Sequence, residues 1–248
     1  MAGTKRFNLT IKTPDGELPP AHIEVTDEPM RLSEIVPLLH ELANKTIGLA
    51  IDRAGREGKT VSCRAGCGVC CRQLVPVAPA EVFYIVERLM SLPLADRRGP
   101  LEKFQENETR LNDTGLLTAI ADLGSTRDNN AVAREYFRLD LPCPFLNNQS
   151  CSIHAWRPLA CREYNVVSPA SHCADPFNLK IETIGLYRRL SERLGRLSSH
   201  AVQLPVGMVP MPLLFDYFEA HKEASRMAFP GAELVELALD VAFGKNDR

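Results

Sequence analysis

The feature that most limits what this chain can become is the run from Cys63 through Cys67 to Cys70 and Cys71, four thiols within nine residues. No hydrophobic core needs so many sulfurs at such spacing. A tight turn across the Cys67 to Cys70 step aims two thiolates at one ion, and Gly68 inside it is expected to supply the positive φ that such turns use. Cys70 and Cys71 are adjacent, and neighbouring side chains of extended backbone point in opposite directions. The pair therefore serves two metals or two irons of one cluster, or else one of its thiols is a bystander.

Four more cysteines follow at Cys143, Cys151, Cys161 and Cys173, with none between Cys71 and Cys143. The segment from Cys143 to His154 reads as a small hairpin turning at 147–150 with a cysteine on each arm, the shape of a zinc knuckle. Pro158 can open a helix that places Cys161 in its first turn, where free amides and the helix dipole are expected to lower the thiol pKa. Cys173 lies in a loop-like stretch and is either a further ligand or a lone buried thiol. His154 and His172 are possible nitrogen ligands or surface residues. All eight cysteines are candidate metal ligands, and both regions are expected to converge on bound metal.

Arginine follows cysteine directly at Arg64, Arg72 and Arg162, and Arg157 stands nearby. Four thiolates around a dication leave net negative charge, which guanidinium groups can offset; the alternative is ordinary exposed arginines, or for Arg157 an ion pair with Glu163. Tyr164 is expected to pack beside the cluster or donate a hydrogen bond to it. The stripe of Arg188, Arg189, Arg193 and Arg196 alternates with Glu182 and Glu192 and reads as a solvated helix face.

The rest of the chain supplies a frame. Phe7, Leu9 and Ile11, a turn over 13–16, and then Ile23 and Val25 read as a β-hairpin. Apolar residues from Leu32 to Ile51 recur at helical spacing, with Ser33 as candidate cap and an end at Gly55 or Gly58. Leu74, Val75 and Val77 look extended, and Pro79 suits the first turn of a helix running to Met90. A charged helical stretch spans 101–122, a polar and mobile break 124–130, and another helix 131–139. Leu186 to Leu197, Leu213 to Met227 and Ala232 to Phe243 complete a helical C-terminal third. The expected fold is mainly α with a small N-terminal β-hairpin, a helical shell around irregular cysteine-rich metal-binding loops. Its parts are 1–58 (hairpin and helix), 59–175 (cysteine clusters) and 176–248 (helical), packed as one compact domain.

At 248 residues the chain buries enough apolar surface without disulfide staples. A net charge of -2 argues against a dedicated nucleic-acid binder. The N-terminus turns polar too soon for a secretory signal, and no span is long enough for a bilayer, so a cytoplasmic location without membrane contact is expected. In that reducing setting clustered cysteines bind metal or do chemistry more often than they form disulfides. A thiol–disulfide protein is the poorer reading, because vicinal disulfides are strained.

With both regions read, the chain resembles the YkgJ-like cysteine-cluster family, labelled CxxCxxCC and described as zinc- or iron-chelating. Cys63, Cys67, Cys70 and Cys71 carry the likeness, with Cys143 to Leu146, Cys151, Ile153, Arg157, Pro158, Cys161 and Arg162. The first gap holds three residues where the label has two, and His154 stands where tyrosine is common. The resemblance implies zinc or iron, or an iron–sulfur cluster, and leaves a reaction open; some flagellin lysine methylases share the cysteine motif. Two function classes remain: a metal-binding protein with closed structural or chelating sites, and an iron–sulfur enzyme or electron carrier. Metal ions are the expected partners, and a protein partner fits either class.

Overall fold

The computed structural model describes residues 3–123, 128–204 and 207–244. The polar break expected over 124–130 lies largely outside them. The fold is mainly α with an N-terminal β-hairpin.

Strands β1 (Thr4–Leu9) and β4 (Ala21–Thr26) pair antiparallel, with Thr4 opposite Thr26 and Leu9 opposite Ala21. At the hairpin tip β2 (Lys12–Thr13) and β3 (Gly16–Glu17) continue the ladder around Pro14 and Asp15. The alternation read from the sequence holds, since Phe7, Leu9, Ile11 and Val25 are all buried. The short β5 (Pro29–Arg31) then leads into α1 (Leu32–Arg56).

Ser33 does not cap α1. The cap position is Arg31, whose N–H donates to the Glu34 carboxylate at 2.7 Å, and the Ser33 hydroxyl instead donates to Glu87 of the next helix at 3.0 Å. Helix α1 buries one stripe from Leu32 to Ala54, and the chain leaves it through Gly58 at φ +76. After the first cysteine region, β6 (Pro76–Val77) leads to α2 (Pro79–Ser91), with Pro79 in its first turn, where a missing N–H costs nothing.

The charged stretch expected to be one helix is two, α3 (Leu94–Asp113) and α4 (Leu116–Ala121), broken by Gly115 at φ +70. Helix α5 (Asn129–Arg138) is capped by Asp128, which accepts the Asn130 N–H at 2.9 Å. Next come β7 (Leu146–Asn147), β8 (Ser150–Cys151) and α6 (Leu159–Glu163). Helix α7 (Leu190–Val202) starts later than its leucine pattern suggests, leaving Leu186 outside. β9 (Val209–Pro210) pairs with β6, and the helix expected over 213–227 is broken at His221 into α8 (Leu214–Ala220) and α9 (Lys222–Arg226). β10 (Ala228–Pro230) pairs with β5 and feeds α10 (Gly231–Phe243).

Three apolar clusters hold these elements together. The first joins the hairpin, α1, α7 and α10; the second joins α2 to Phe104, Phe145, Trp156 and Leu214; the third joins α3, α4 and α5 through Leu111, Ile120 and Tyr136. Val61 packs on the first cluster, Val75 on the second and Leu74 on the third. The first cysteine region therefore hangs between residues anchored in three different cores. Those anchors are partly buried, so each contributes less than the roughly 1.5–3 kcal/mol of a fully buried aliphatic side chain, and it is the three together that tie the ends of the region down. Among the described residues no helix is long and apolar enough to cross a membrane.

Candidate metal centre

The first region is positioned by backbone on both sides. Ser62 donates its N–H to the Val166 carbonyl at 2.7 Å, and Val166 returns its own N–H to Cys63 Sγ at 3.3 Å. The chain then reverses at Gly66, φ +79, and enters a short 3-10 turn over Val69–Arg72 that carries Cys70 and Cys71. Gly68 sits at φ -98, so the positive φ expected there falls on Gly66. Gly68 is needed for a different reason. A Cβ at this position would lie 2.6 Å from Leu146 Cδ1 and 3.1 Å from the Gln149 carbonyl oxygen, because the tip of the β7–β8 hairpin rests on it.

That hairpin turns through Asn148 and Gln149, both at positive φ (48° and 59°), as a two-residue turn between right-twisted strands requires. Cys151 lies on β8, whereas Cys143 precedes β7 instead of lying on its arm. The Cys143 N–H donates to the Cys71 carbonyl at 2.7 Å, which ties the second cysteine region to the first through main chain. The Phe145 amide donates to the Cys143 sulfur and the Ile153 amide to the Cys151 sulfur, the same two-residue step in both cases. Amide dipoles aimed at sulfur favour thiolate.

Cys161 lies on α6, which is held at both ends. Buried Glu81 accepts the Leu159 N–H at 2.6 Å and faces the His40 ring nitrogen at 3.0 Å; Glu163 accepts both the N–H and the hydroxyl of Ser191 at the start of α7. Arg162 threads between them, donating to the Arg157 carbonyl at 2.9 Å, the Ala155 carbonyl at 2.5 Å and the Asn44 side chain at 3.1 Å. Cys173 is buried in the turn over Ala170–Ala174, which packs against the Val69–Arg72 turn. The Tyr164 hydroxyl bonds the Cys173 sulfur and accepts from Gln73 at 3.4 Å, so Tyr164 does more than pack.

Cys70 is the thiol whose charge reaches most of the others. Its own deprotonation is opposed first by its hydrogen bond with Cys71 and then by burial, and its charge acts on Cys63, Cys143, Cys151, Cys161 and Cys173. Cys67 acts on Cys63, and both act on Cys173; Cys151 acts on Cys143, and both act on Cys161. Burial pushes the Cys143 thiol up to about 12 and raises Cys161 well above its usual range. The lowered pKa expected for Cys161 from its place in a helix is therefore not found. Helix α6 has only five residues, and its small dipole is outweighed by burial of the sulfur.

The arginines divide in the same way. Arg157 lowers Cys63, Cys70, Cys151 and Cys161, with a buried Nε that has no hydrogen-bond partner among the described residues, and Arg162 lowers Cys151. Arg72 turns away to pair with Asp140 at 2.7 Å, and Arg64 is exposed. His154 is exposed, its pKa lowered chiefly by the Arg157 charge, and His172 bonds the Lys180 carbonyl at 2.9 Å. Lys103 on α3 donates to the Leu146 carbonyl at 2.5 Å and lowers Cys143. Nothing in the sequence pointed to Lys103, Glu81, His40 or Asn44, because each reaches the site from a distant helix with no local motif.

Among the described residues no set of three or more Cys, His, Asp or Glu side chains is drawn together closely enough to hold an ion as it stands. The donor chemistry nevertheless fits a thiophilic metal: eight unpaired thiols, amides aimed at three of the sulfurs, and guanidinium and ammonium charge beside them. A helical frame holding such a set in its loops defines a cysteine-cluster protein of the metal-binding kind. Residues 62–182 match the model of the CxxCxxCC family, described as a putative zinc- or iron-chelating domain, a match over just under half of the chain's length. No curated protein and no solved structure matches the chain.

Proposed function

We propose that the protein binds zinc or iron through two thiol groups that meet at the vicinal pair, Cys63, Cys67 and Cys173 with one thiol of the pair and Cys143, Cys151 and Cys161 with the other. The observation that supports this most is the main-chain bond from Cys143 to Cys71, which joins the two regions at the pair itself. Cys70 and Cys71 lie in a 3-10 turn with their thiols hydrogen-bonded to each other, so the pair does not diverge as extended backbone would, and it is available to both groups at one place. Four thiolates per ion leave no open position, so the role is structural or chelating if the metal is zinc, whereas iron bound with sulfide would supply one-electron chemistry. In this reading Arg157, Arg162 and Lys103 offset thiolate charge, Tyr164 orients Cys173, and Arg72 and Arg64 stand outside the site.

Metal analysis of serine variants tests it. The wild-type chain should carry two ions, and Cys161→Ser and Cys173→Ser should each lose one, while Cys70→Ser disturbs both. Full metal content in Cys161→Ser or Cys173→Ser would overturn the grouping, and full content in Cys70→Ser would overturn metal binding at the pair. Zinc without colour would favour the chelating role; iron with acid-labile sulfide would favour an electron carrier or iron–sulfur enzyme.

A further inference from the structure

A groove of about 570 Å³ lies against the outer side of the cysteine turns, with Val69 and Ala174, neighbours of Cys70 and Cys173, in its floor. Its far wall is α5. That helix buries Val132 and Tyr136 in the third core and presents Arg134, Phe137 and Arg138 to the groove. The two arginines are four residues apart on one helix, a like-charge spacing that destabilises a helix by a few tenths of a kcal/mol. Neither forms an ion pair with a carboxylate among the described residues. The Arg134 guanidinium instead lies over the Phe177 ring, 4.8 Å from its centroid, and Phe177 meets Phe137 edge to face at 5.8 Å. The guanidinium is thus held by an aromatic platform, with its hydrogen-bonding edge unused among the described residues.

Two carboxylates also line the groove, and both are engaged. Asp140 pairs with Arg72 at 2.7 Å, and Asp175 accepts the Asn178 amide at 2.9 and 3.2 Å. Three arginines against two aspartates leave the groove net cationic, with the excess at Arg134 and Arg138. The volume lies within the range of small-molecule sites, about 300–1,000 Å³. A planar donor fork beside aromatic rings matches an oxyanion attached to an apolar body.

We infer that this groove is a binding site for a small organic oxyanion, a carboxylate or phosphate group carried on an apolar or aromatic body, with Arg134 and Arg138 holding the anion and Phe137 and Phe177 the body. The site uses no cysteine, so it stands or falls separately from metal binding.

Calorimetric titration of the full-length protein with benzoate and with phenyl phosphate tests it. At least one should bind saturably and should bind at least tenfold more weakly to the Arg134→Gln, Arg138→Gln double variant and to Phe177→Ala. Arg226→Gln, on α9, should bind as wild type does. Tighter binding of benzoate assigns a carboxylate ligand, and tighter binding of phenyl phosphate a phosphoryl one. Arg138→Gln alone, at an exposed and unpaired position, should weaken binding at least threefold even if the double variant folds poorly. Failure of both probes to saturate, or a smaller loss in Arg138→Gln, would overturn the inference. Metal content measured on the same samples should not change, which keeps this result apart from the fate of the thiol sites.

Discussion

At the scale of the residue, the cysteines show how burial and charge oppose each other in this protein. Cys143 and Cys161 hold their protons in the metal-free fold, Cys143 up to about 12 against an ordinary 9.0, mainly because their sulfurs are removed from water. The folded chain then binds these protons more tightly than the unfolded chain does. Stability from this source is fully present below about pH 9 and is lost as pH rises toward 12, by up to roughly 1.4 kcal/mol per pH unit for each thiol. Metal-bound sulfur is already deprotonated, so loading removes the dependence. Thermal melts should therefore show the metal-free protein weakening steadily above about pH 9, with the metal-loaded protein changing little. Equal sensitivity in the two would contradict the placement of these thiols at a metal. The types and number of these residues were legible in the sequence. Their environment was not, since α6, which carries Cys161, is packed by α1 and α7, elements far away in the sequence.

At the scale of the element, the docking of the β7–β8 hairpin onto the Val69–Arg72 turn joins the two halves of the site, and Gly68 is the point of contact. Gly68→Ala forces a methyl group into Leu146 and the Gln149 carbonyl, and overpacking of this kind costs about 1–3 kcal/mol. Chemical denaturation should show that loss together with reduced metal content. Gly66→Ala, strained by its positive φ but meeting no neighbour, should lower stability with metal content kept. Wild-type stability in Gly68→Ala would show that the hairpin does not rest there. The long elements were readable because α1, α2 and α10 repeat their apolar residues over many turns. The pairs β5–β10 and β6–β9 were not, because strands of two or three residues leave no alternation to detect and their partners lie far apart in sequence. Gly68 was marked as special for the wrong reason: a glycine required by close approach and one required by positive φ look the same in a sequence.

At the scale of the whole molecule, three cores anchor the two cysteine regions, so metal binding and folding should be coupled throughout. The hairpin, α1, α7 and α10 hold Val61 at the entrance, and α2 with its neighbours holds Val75 at the exit, leaving the thiol-bearing loops to be closed by their own short turns and by the ion. The measurement that tests this account most directly is X-ray absorption at the edge of whatever metal the protein carries after anaerobic purification without an affinity-tag metal. The account predicts a first shell of sulfur alone, at about 2.3 Å for zinc. A first shell containing nitrogen or oxygen, or protein that comes through this purification with no bound metal, would contradict it.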